Sequence, residues 1–321
     1  MSAPHRPTIL VAPLDWGMGH ATRCIPIIQK LQQQGAMVVV ACPPQLETRL
    51  RSSISGVSFV SLRGYDILYH RHLPVWVSVI LQAWKIHRSI IFEHQWILEN
   101  ASRLGIQQII SDNRYGLWHP DIPSVLLTHQ LQPIAPFGGR IAARLVKHFM
   151  QRLLKHFTEI HVPDHEGPNR LSGKLSEPFE GLPPVKFIGP LSRFTQRLEI
   201  PSQSKTMLAI LSGPEPHYSR FFIAMKARAA EQYLHFKALG WKLPAGANAD
   251  EVLLNLSDEE FATEVSSAEK IVCSAGYSTL CDLVALGKRA EVFPTKGQTE
   301  QQYLAKRWAA NTVADMFDWK Q

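Results

Sequence analysis

The sequence predicts an α/β protein with two domains, each built on a doubly wound parallel sheet. Short apolar runs alternate with segments of helical periodicity along most of the chain, which is typical of parallel strands joined by helices. The length of 321 residues exceeds what one hydrophobic core usually supports. The polar stretch 192–205 contains Pro201 and shows neither the helical nor the strand periodicity of apolar residues. We therefore predict a linker there, between an N-terminal domain (residues 1–191) and a C-terminal domain (residues 206–321).

The N-terminal domain is predicted to begin with a strand, a helix and a second strand. The strand covers residues 8–14, the helix covers 25–34 and ends at Gly35, and the second strand covers 37–42 and stops at two prolines. The apolar runs that follow predict further strands at residues 57–62, 108–111, 124–128, 160–162 and 185–188. This order favours a parallel sheet with helices on both faces.

The C-terminal domain restarts the alternation. Strands are predicted at residues 206–211, 271–274 and 290–293, and a helix is predicted between Gly276 and Gly287. Residues 240–250 look irregular, and we predict no strand there. The domain therefore appears short for a complete doubly wound sheet.

Residues 273–305 contain the densest group of candidate site residues. Gly276 is expected to permit a tight turn after a strand, and Ser278 and Thr279 lie where the next helix begins, with its free N–H groups available to an anion. Asp282 follows six residues after Gly276, and the loop after Pro294 is rich in glutamine. The pattern predicts a site for a phosphorylated ligand, although an ordinary strand-helix-strand unit would also fit it.

This segment of about 33 residues resembles the donor-binding half of GT-B glycosyltransferases. It is most similar to family 28, which includes the bacterial peptidoglycan UDP-N-acetylglucosamine transferase. In that family a Ser-Gly turn meets the pyrophosphate, an acidic residue six positions later holds the ribose, and paired glutamines hold the sugar. One departure is Ser274-Ala275 where the family often has a basic residue. The resemblance implies two Rossmann-like domains facing across a cleft, and donor contacts from Ser274, Gly276, Ser278, Thr279, Asp282, Gln298, Gln301 and Gln302.

A glycine-rich turn follows the first strand, in the sequence Asp15-Trp-Gly-Met-Gly-His20. It is not a dinucleotide fingerprint, because Thr22 stands where the third glycine would be. In related glycosyltransferases such a turn touches the donor and the acceptor, which implies contacts from Gly17 and Gly19. His20 is a candidate general base, since the pKa of a histidine ordinarily lies near neutral pH. Alternatively it caps the helix, and Asp15 is then a candidate base or acceptor contact.

Other candidates lie where predicted strands end, because ligands gather at the carboxyl edge of a parallel sheet. Asp112 could orient His20, or simply cap a turn together with Asn113. His129 and Gln130 follow the next strand and are candidate acceptor contacts. In the C-terminal domain, the loop after the first strand offers two further donor contacts, Ser212 and Gly213.

These features predict an enzyme that transfers a hexose from a UDP-sugar to an acceptor hydroxyl, with no cofactor. The chain has no Asp-x-Asp sequence and no zinc-ligand spacing, so we expect metal-independent chemistry. The resemblance implies inversion at the sugar carbon. Two alternatives remain open: a nucleotide-sugar epimerase or hydrolase of the same fold, and a non-catalytic nucleotide-sugar-binding subunit.

Composition and charge limit the other functional classes. The chain is 45% hydrophobic and 19% charged, as in globular proteins, and its four cysteines form no CxxC pair. The start of the chain shows no leader pattern, and no apolar run is long enough to span a bilayer, so we expect a cytoplasmic protein. Its basic residues lack an interleaved aromatic platform, which argues against nucleic-acid binding.

Two segments suggest where an acceptor or a membrane could bind. Residues 122–158 contain no Asp or Glu, and basic residues recur every four positions from Arg140. The helix predicted there has an apolar side and a basic side, so it could lie on anionic lipid at the inner membrane face or be an ordinary packed helix. Residues 74–98 are rich in tryptophan and aliphatic side chains, which suits either a lipid-linked acceptor or a core.

Overall fold

The computed structural model describes residues 6–70, 73–194 and 204–310. It confirms the predicted fold class, a mixed α/β chain with two parallel sheets. Contacts divide the chain into two compact units. The first unit comprises the described parts of Met1–Trp16, His20–Ile67 and Val79–Leu191. The second comprises those of Gly17–Gly19, Leu68–Ser78 and Ser192–Gln321.

The sheet of the first unit has seven parallel strands in the order β3-β2-β1-β4-β5-β6-β7. Its strands are β1 (Thr8–Pro13), β2 (Met37–Cys42), β3 (Ser58–Ser61), β4 (Ile106–Asp112), β5 (Ser124–Leu127), β6 (Glu159–Val162) and β7 (Val185–Phe187). The helices in this part of the chain are α1 (Met18–Gln33), α2 (Pro44–Leu50), α3 (Val75–Leu81), α4 (Ala83–Asn100) and α5 (Gly139–Leu154). Every residue of β1 is buried, as expected for a central strand that is covered on both faces.

The sheet of the second unit has five parallel strands in the order β10-β9-β8-β11-β12. Its strands are β8 (Ser204–Ile210), β9 (His235–Gly240), β10 (Val252–Leu254), β11 (Ala268–Cys273) and β12 (Glu291–Val292). Its helices are α6 (His217–Glu231), α7 (Asp258–Ser267), α8 (Tyr277–Ala285) and α9 (Thr299–Ala310).

Each unit is held together by apolar side chains between its sheet and its helices. In the first unit, Ile97 of α4 packs on Leu10 and Ile109 of the sheet, and all three are fully buried. In the second unit, Phe222 of α6 is fully buried in a cluster that includes Met207 and Val272. These clusters fix the carboxyl ends of the strands, where the candidate residues lie.

The structure differs from the sequence prediction at three elements. Helix α1 begins at Met18, seven residues earlier than predicted. Strands β9 and β10 were not predicted, but residues 241–251 between them contain no strand, as expected for residues 240–250. Strand β9 was missed because few of its positions are buried, so it has no continuous apolar run. Residues 195–203 of the predicted linker lie outside the described residues, and β8 begins at Ser204.

All four cysteines are buried and unbonded to one another, which agrees with the prediction of free thiols. No helix within the described ranges combines the length and the apolar character needed to cross a bilayer.

One glycine in the first unit is required for packing. A β-carbon at Gly116 would overlap the carbonyl oxygen of Ile90 on α4 and lie 2.7 Å from Cβ of Glu93. We expect Gly116→Ala to destabilise the protein by roughly 1–3 kcal/mol, because the α4 backbone cannot move away cheaply. The midpoint of thermal unfolding by calorimetry measures this effect.

Gly276→Ala is the matched control. A β-carbon there would meet nothing closer than 3.6 Å, and φ at Gly276 is −76°. We expect this variant to unfold at the wild-type temperature. Equal midpoints for both variants would contradict the packing role of Gly116.

Candidate active site

In the first unit, the candidate residues collect at the point where the strand order reverses. Strands β1 and β4 are neighbours, and Pro13 lies opposite Asp112 at their carboxyl ends. The chain continues from β1 to β2 on one side and through β4 and β5 on the other. In open α/β sheets this reversal opens a crevice where ligands bind.

His20 and Asp112 form a pair at this edge, as the sequence suggested. Nδ1 of His20 lies 3.1 Å from Oδ2 of Asp112. The Asp112 side chain is fully buried, whereas that of His20 is 17% exposed. A carboxylate only accepts hydrogen bonds, so the pairing places the proton on Nδ1 and leaves Nε2 as an acceptor.

Arg23 completes the pair, and the sequence analysis missed it. Its Nε donates to Oδ2 of Asp112 at 2.9 Å, and its Nη2 donates to Oδ1. The guanidinium is 2% exposed and binds the carboxylate through two nitrogens. Arg23 lies one turn after His20 on α1, so a helix predicted from Met18 would have placed both on one face.

Arg23 also approaches His20 directly. Its Nη2 lies 2.9 Å from Nδ1 of His20. An arginine only donates, so this contact is a hydrogen bond only in the tautomer whose Nδ1 lacks a proton. The two contacts compete for Nδ1, and we assign its proton toward Asp112 because an anion is the stronger acceptor.

The pKa of Asp112 reflects two opposing effects. Complete burial raises the pKa of Asp112. The charges of Arg23 and His20 and their hydrogen bonds lower it by more than burial raises it, so that the pKa falls to about 2. Asp112 is therefore an anion at any pH near neutrality. The same burial, together with the Asp112 charge, raises the pKa of the Cys24 thiol, whose Sγ donates to Oδ2 at 3.7 Å.

His129 joins the cluster, and Gln130 follows it. Nη1 of Arg23 lies 3.1 Å from Nδ1 of His129, which is buried. Because arginine donates, Nδ1 of His129 accepts and its proton lies on Nε2. The structure thus brings His20, Asp112 and His129 together around Arg23, while the predicted acceptor-binding role of His129 and Gln130 stays a prediction.

Asn113 combines buried polarity with an unusual backbone conformation. It is 9% exposed, and its Oδ1 has no hydrogen-bond partner among the described residues. Its φ is +54°, in the left-handed region that asparagine tolerates better than most residues. An unpaired buried carbonyl oxygen is uncommon in proteins, and here it lies beside Asp112 in the chain.

Asp15 belongs to a different group of charges. Its carboxylate accepts from the backbone N–H of Tyr65 at 3.0 and 3.1 Å and lies 3.9 Å from Nη2 of Arg114. Arg114 is fully buried, 3.2 Å from Glu93. Burial raises the pKa of Glu93 to about 7 against the opposing charge of Arg114. These contacts give Asp15 a structural role, and its predicted role in catalysis stays a prediction.

The second unit has an equivalent edge. Strands β8 and β11 are neighbours, with Ile210 opposite Cys273, and the strand order reverses between them. Just beyond these ends, the hydroxyl oxygens of Ser212 and Ser274 lie 2.5 Å apart. Gly213 follows with a φ of +85°, which favours glycine.

Gly276 closes a tight turn after β11, since its N–H donates to the carbonyl oxygen of Ser274 at 2.9 Å, but the turn does not use a conformation special to glycine. Gly276 is the N-cap of α8 with φ −76° and ψ 129°, extended values that any residue adopts. It makes no side-chain cap bond, so the first N–H groups of α8 have no partner from that side chain. A β-carbon would be 3.6 Å from Thr279 Oγ1. The protein itself therefore does not require glycine here.

The glycine turn before His20 groups with the second unit. Gly17 has a φ of +106°, which favours glycine, and Gly19 lies in the first turn of α1. The hydroxyl of Ser278 donates to the carbonyl oxygen of Gly19 at 3.0 Å. The predicted donor contacts of Gly17, Gly19 and Ser278 stay predictions.

Asp282 is buried in α8 and already has two partners. Ser192 Oγ donates to its Oδ1 at 2.7 Å, and Nε of Arg193 lies 3.6 Å from its Oδ2. Burial raises the pKa of Asp282 to about 6, against the lowering effects of Arg193 and Ser192. Its carboxylate links α8 to Ser192 and Arg193, and the predicted ribose contact stays a prediction.

The glutamines occupy different environments. Gln301 is buried on α9, and its Oε1 accepts from the backbone N–H of Thr295 at 2.8 Å. Gln302 is exposed, and Gln298 is half-buried just before the helix. Gln301 thus holds the loop after β12 in place.

No protein-family model and no curated protein matches the sequence. Solved structures do match. The glycotransferase of kitacinnamycin is 14% identical with a TM-score of 0.64, and the match covers 97% of this chain and 87% of that one. A UDP-glucosyltransferase from Polygonum tinctorium, capable of glucosylating indoxyl, is 15% identical with a TM-score of 0.61. That match covers 95% of this chain and 83% of that one. The chain has the GT-B fold.

A third solved structure of this fold holds two bound small molecules. UGT2 of Phytolacca americana, complexed with UDP-2-fluoro-glucose and pterostilbene, is 18% identical with a TM-score of 0.58. The match covers 93% of this chain and 82% of that one. Within the described ranges, no three His, Cys, Asp or Glu side chains of this GT-B chain come together as metal ligands would.

The Asp112 cluster makes a prediction about stability. A folded pKa of about 2 lies below the ordinary 3.8, so ionisation of Asp112 favours folding above pH 3.8, and this stabilisation is lost as pH falls toward 2. At pH 7, Asp112→Asn should cost roughly 2–5 kcal/mol, because it also leaves the Arg23 charge buried without a counter-charge. Urea unfolding at pH 7, 4 and 3 measures the difference, which should shrink with falling pH.

Asp121→Asn is the control, because Asp121 is exposed. We expect its stability to stay within about 0.5 kcal/mol of wild type at each pH. An Asp112→Asn protein as stable as wild type at pH 7 would show that the Arg23 contact contributes nothing.

Proposed function

We propose that the protein is a metal-independent, inverting glycosyltransferase that uses a UDP-sugar. The observation that carries the proposal is the His20–Asp112 pair, a base with its orienting carboxylate, at the strand-order reversal of a GT-B chain. Glycosyltransferases of this fold take nucleotide sugars, as UGT2 of Phytolacca americana does with a UDP-fluoroglucose. The resemblance to family 28 supports the same donor class.

In this proposal His20 activates the acceptor. Its Nε2 removes the proton from the acceptor hydroxyl as the oxygen bonds to the anomeric carbon, and the bond to the UDP oxygen breaks on the opposite face. The resulting imidazolium donates from Nδ1 to Asp112, whose charge stabilises it. Arg23 is a positioning residue, since it fixes both oxygens of Asp112.

The second unit would stabilise the departing diphosphate. The N–H groups of Ser278 and Thr279 at the start of α8 and the Ser212 and Ser274 hydroxyls are donors suited to developing negative charge. Metal independence is supported by these donors and by the lack of an Asp-x-Asp sequence. Gly276 then has a clear function: without a side chain, the backbone lets the pyrophosphate approach.

The acceptor is proposed to have an apolar part. A cavity of about 400 Å³ in the first unit is lined by Trp84, Ile91 and Phe92, together with Lys85 and Arg88. Trp84 is 70% exposed, so its ring is available to an apolar or lipid-linked acceptor. UDP release from UDP-glucose and UDP-N-acetylglucosamine, with and without apolar hydroxylated acceptors, tests the function. Donor consumption that never depends on an acceptor would favour the hydrolase or epimerase instead.

His20→Ala separates catalysis from binding. We expect turnover to fall by roughly 100- to 10,000-fold, since the general base is lost. The increase in melting temperature caused by UDP should remain, because donor binding uses other residues. His87→Ala, at an exposed position of α4, is the control and should keep full turnover. Unchanged turnover in His20→Ala would remove His20 as the base, and no turnover even in wild type would favour a binding subunit.

Gly276→Ala tests the donor site. The variant should keep the wild-type melting temperature, yet bind UDP roughly tenfold or more weakly, because the added methyl group occupies the space of the pyrophosphate. Calorimetric titration with UDP measures the affinity. Gly116→Ala should show the reverse pattern, a lower melting temperature with unchanged affinity. Wild-type UDP affinity in Gly276→Ala would place the diphosphate elsewhere.

A further inference from the structure

Helix α5 buries only one of its sides. Met150 and Leu154 are buried in a cluster with Leu126 and Ile160 of the sheet. On the outer side, three large apolar side chains lie one turn apart and are mostly exposed: Ile141 (77%), Leu145 (66%) and Phe149 (58%). We call these three residues the apolar ridge.

A basic ridge runs beside the apolar ridge. Arg140, Arg144, His148 and Arg152 also repeat every four residues, and all four are exposed. Each of these basic residues directly precedes a residue of the apolar ridge or follows one by three positions. The two ridges are therefore neighbours on the helix surface. The expectation that the apolar and basic residues occupy opposite sides of the helix is therefore wrong for these positions, because both ridges lie together on the outer surface.

The segment that contains α5 carries charge of one sign. Residues 122–158 contain five Lys or Arg and no Asp or Glu. None of Arg140, Arg144 and Arg152 forms an ion pair within the part of the chain that the structure describes. An exposed helix with large apolar and basic side chains together is the pattern of helices that lie in a bilayer interface.

We propose that the outer surface of α5 binds the surface of an anionic lipid bilayer. The apolar ridge enters the boundary between headgroups and acyl chains, and the basic ridge contacts anionic headgroups. A second copy of the chain fits less well, because a twofold interface would place the basic ridges of both copies close together. An acidic protein partner would satisfy the charges but offers no apolar layer for three large side chains.

Vesicle sedimentation of the full chain tests the proposal. The protein should sediment with vesicles of phosphatidylcholine plus phosphatidylglycerol, and much less with phosphatidylcholine alone. Rising salt should weaken binding, since surface charges are screened. The triple variant Ile141→Glu, Leu145→Glu, Phe149→Glu should bind at least roughly tenfold more weakly, and each of Arg140→Gln, Arg144→Gln and Arg152→Gln should cost roughly fivefold.

Ile223→Glu is the matched control, because Ile223 is 53% exposed on α6, in the second unit. It should bind vesicles like wild type, and both variants should keep the wild-type melting temperature. The proposal is overturned if wild type ignores anionic vesicles, or if the triple variant binds them equally well. Wild-type dimers that the triple variant abolishes, without lipid binding, would identify a second copy as the occupant. Vesicle binding requires no sugar transfer, so this result is independent of the transferase assays.

Discussion

The bond between Arg23 and the buried Asp112 carboxylate is the constraint on which the first site depends. An aspartate without exposure would normally be neutral or absent, because burial disfavours its charge. Arg23 reverses this preference through two nitrogens, so Asp112 remains charged at the end of β4. The same bond fixes the start of α1 against the sheet, and that contact holds His20 beside the carboxylate. The charge of Asp112, the position of α1 and the orientation of the His20 ring therefore all depend on the bond between Arg23 and Asp112.

Both units use the same geometric rule with different chemistry. In each sheet the strand order reverses once, and polar side chains follow the two strands at that point. The first unit presents an imidazole and a carboxylate, which are groups suited to proton transfer. The second presents hydroxyl groups and the start of a helix, which are groups suited to an anion.

Much of this arrangement could be predicted from the sequence. Asp112 and Ser212 were predicted because parallel strands deliver their next residues to a shared edge, whereas Ser274 was implied by the resemblance to family 28. Arg23 was missed, because the glycines before His20 suggested a loop where the helix already begins. The outward position of Ile141 was left as one of two alternatives, for another reason. Periodicity shows which residues share a side of a helix but not which side packs on the sheet.

The two buried aspartates show why geometry and burial must be considered together. Asp112 has a lowered pKa, whereas that of Asp282 is raised to about 6. The difference follows from distance, since Arg193 lies 3.6 Å from Asp282 while Arg23 binds Asp112 through two hydrogen bonds. Because its folded pKa lies above the ordinary 3.8, the ionisation of Asp282 reduces stability as pH rises from 3.8 to 6. Stability thus gives no reason for a carboxylate rather than an amide at this position. The ribose contact that the resemblance to family 28 implies is a prediction that would give the charged form of Asp282 one more donor besides Ser192.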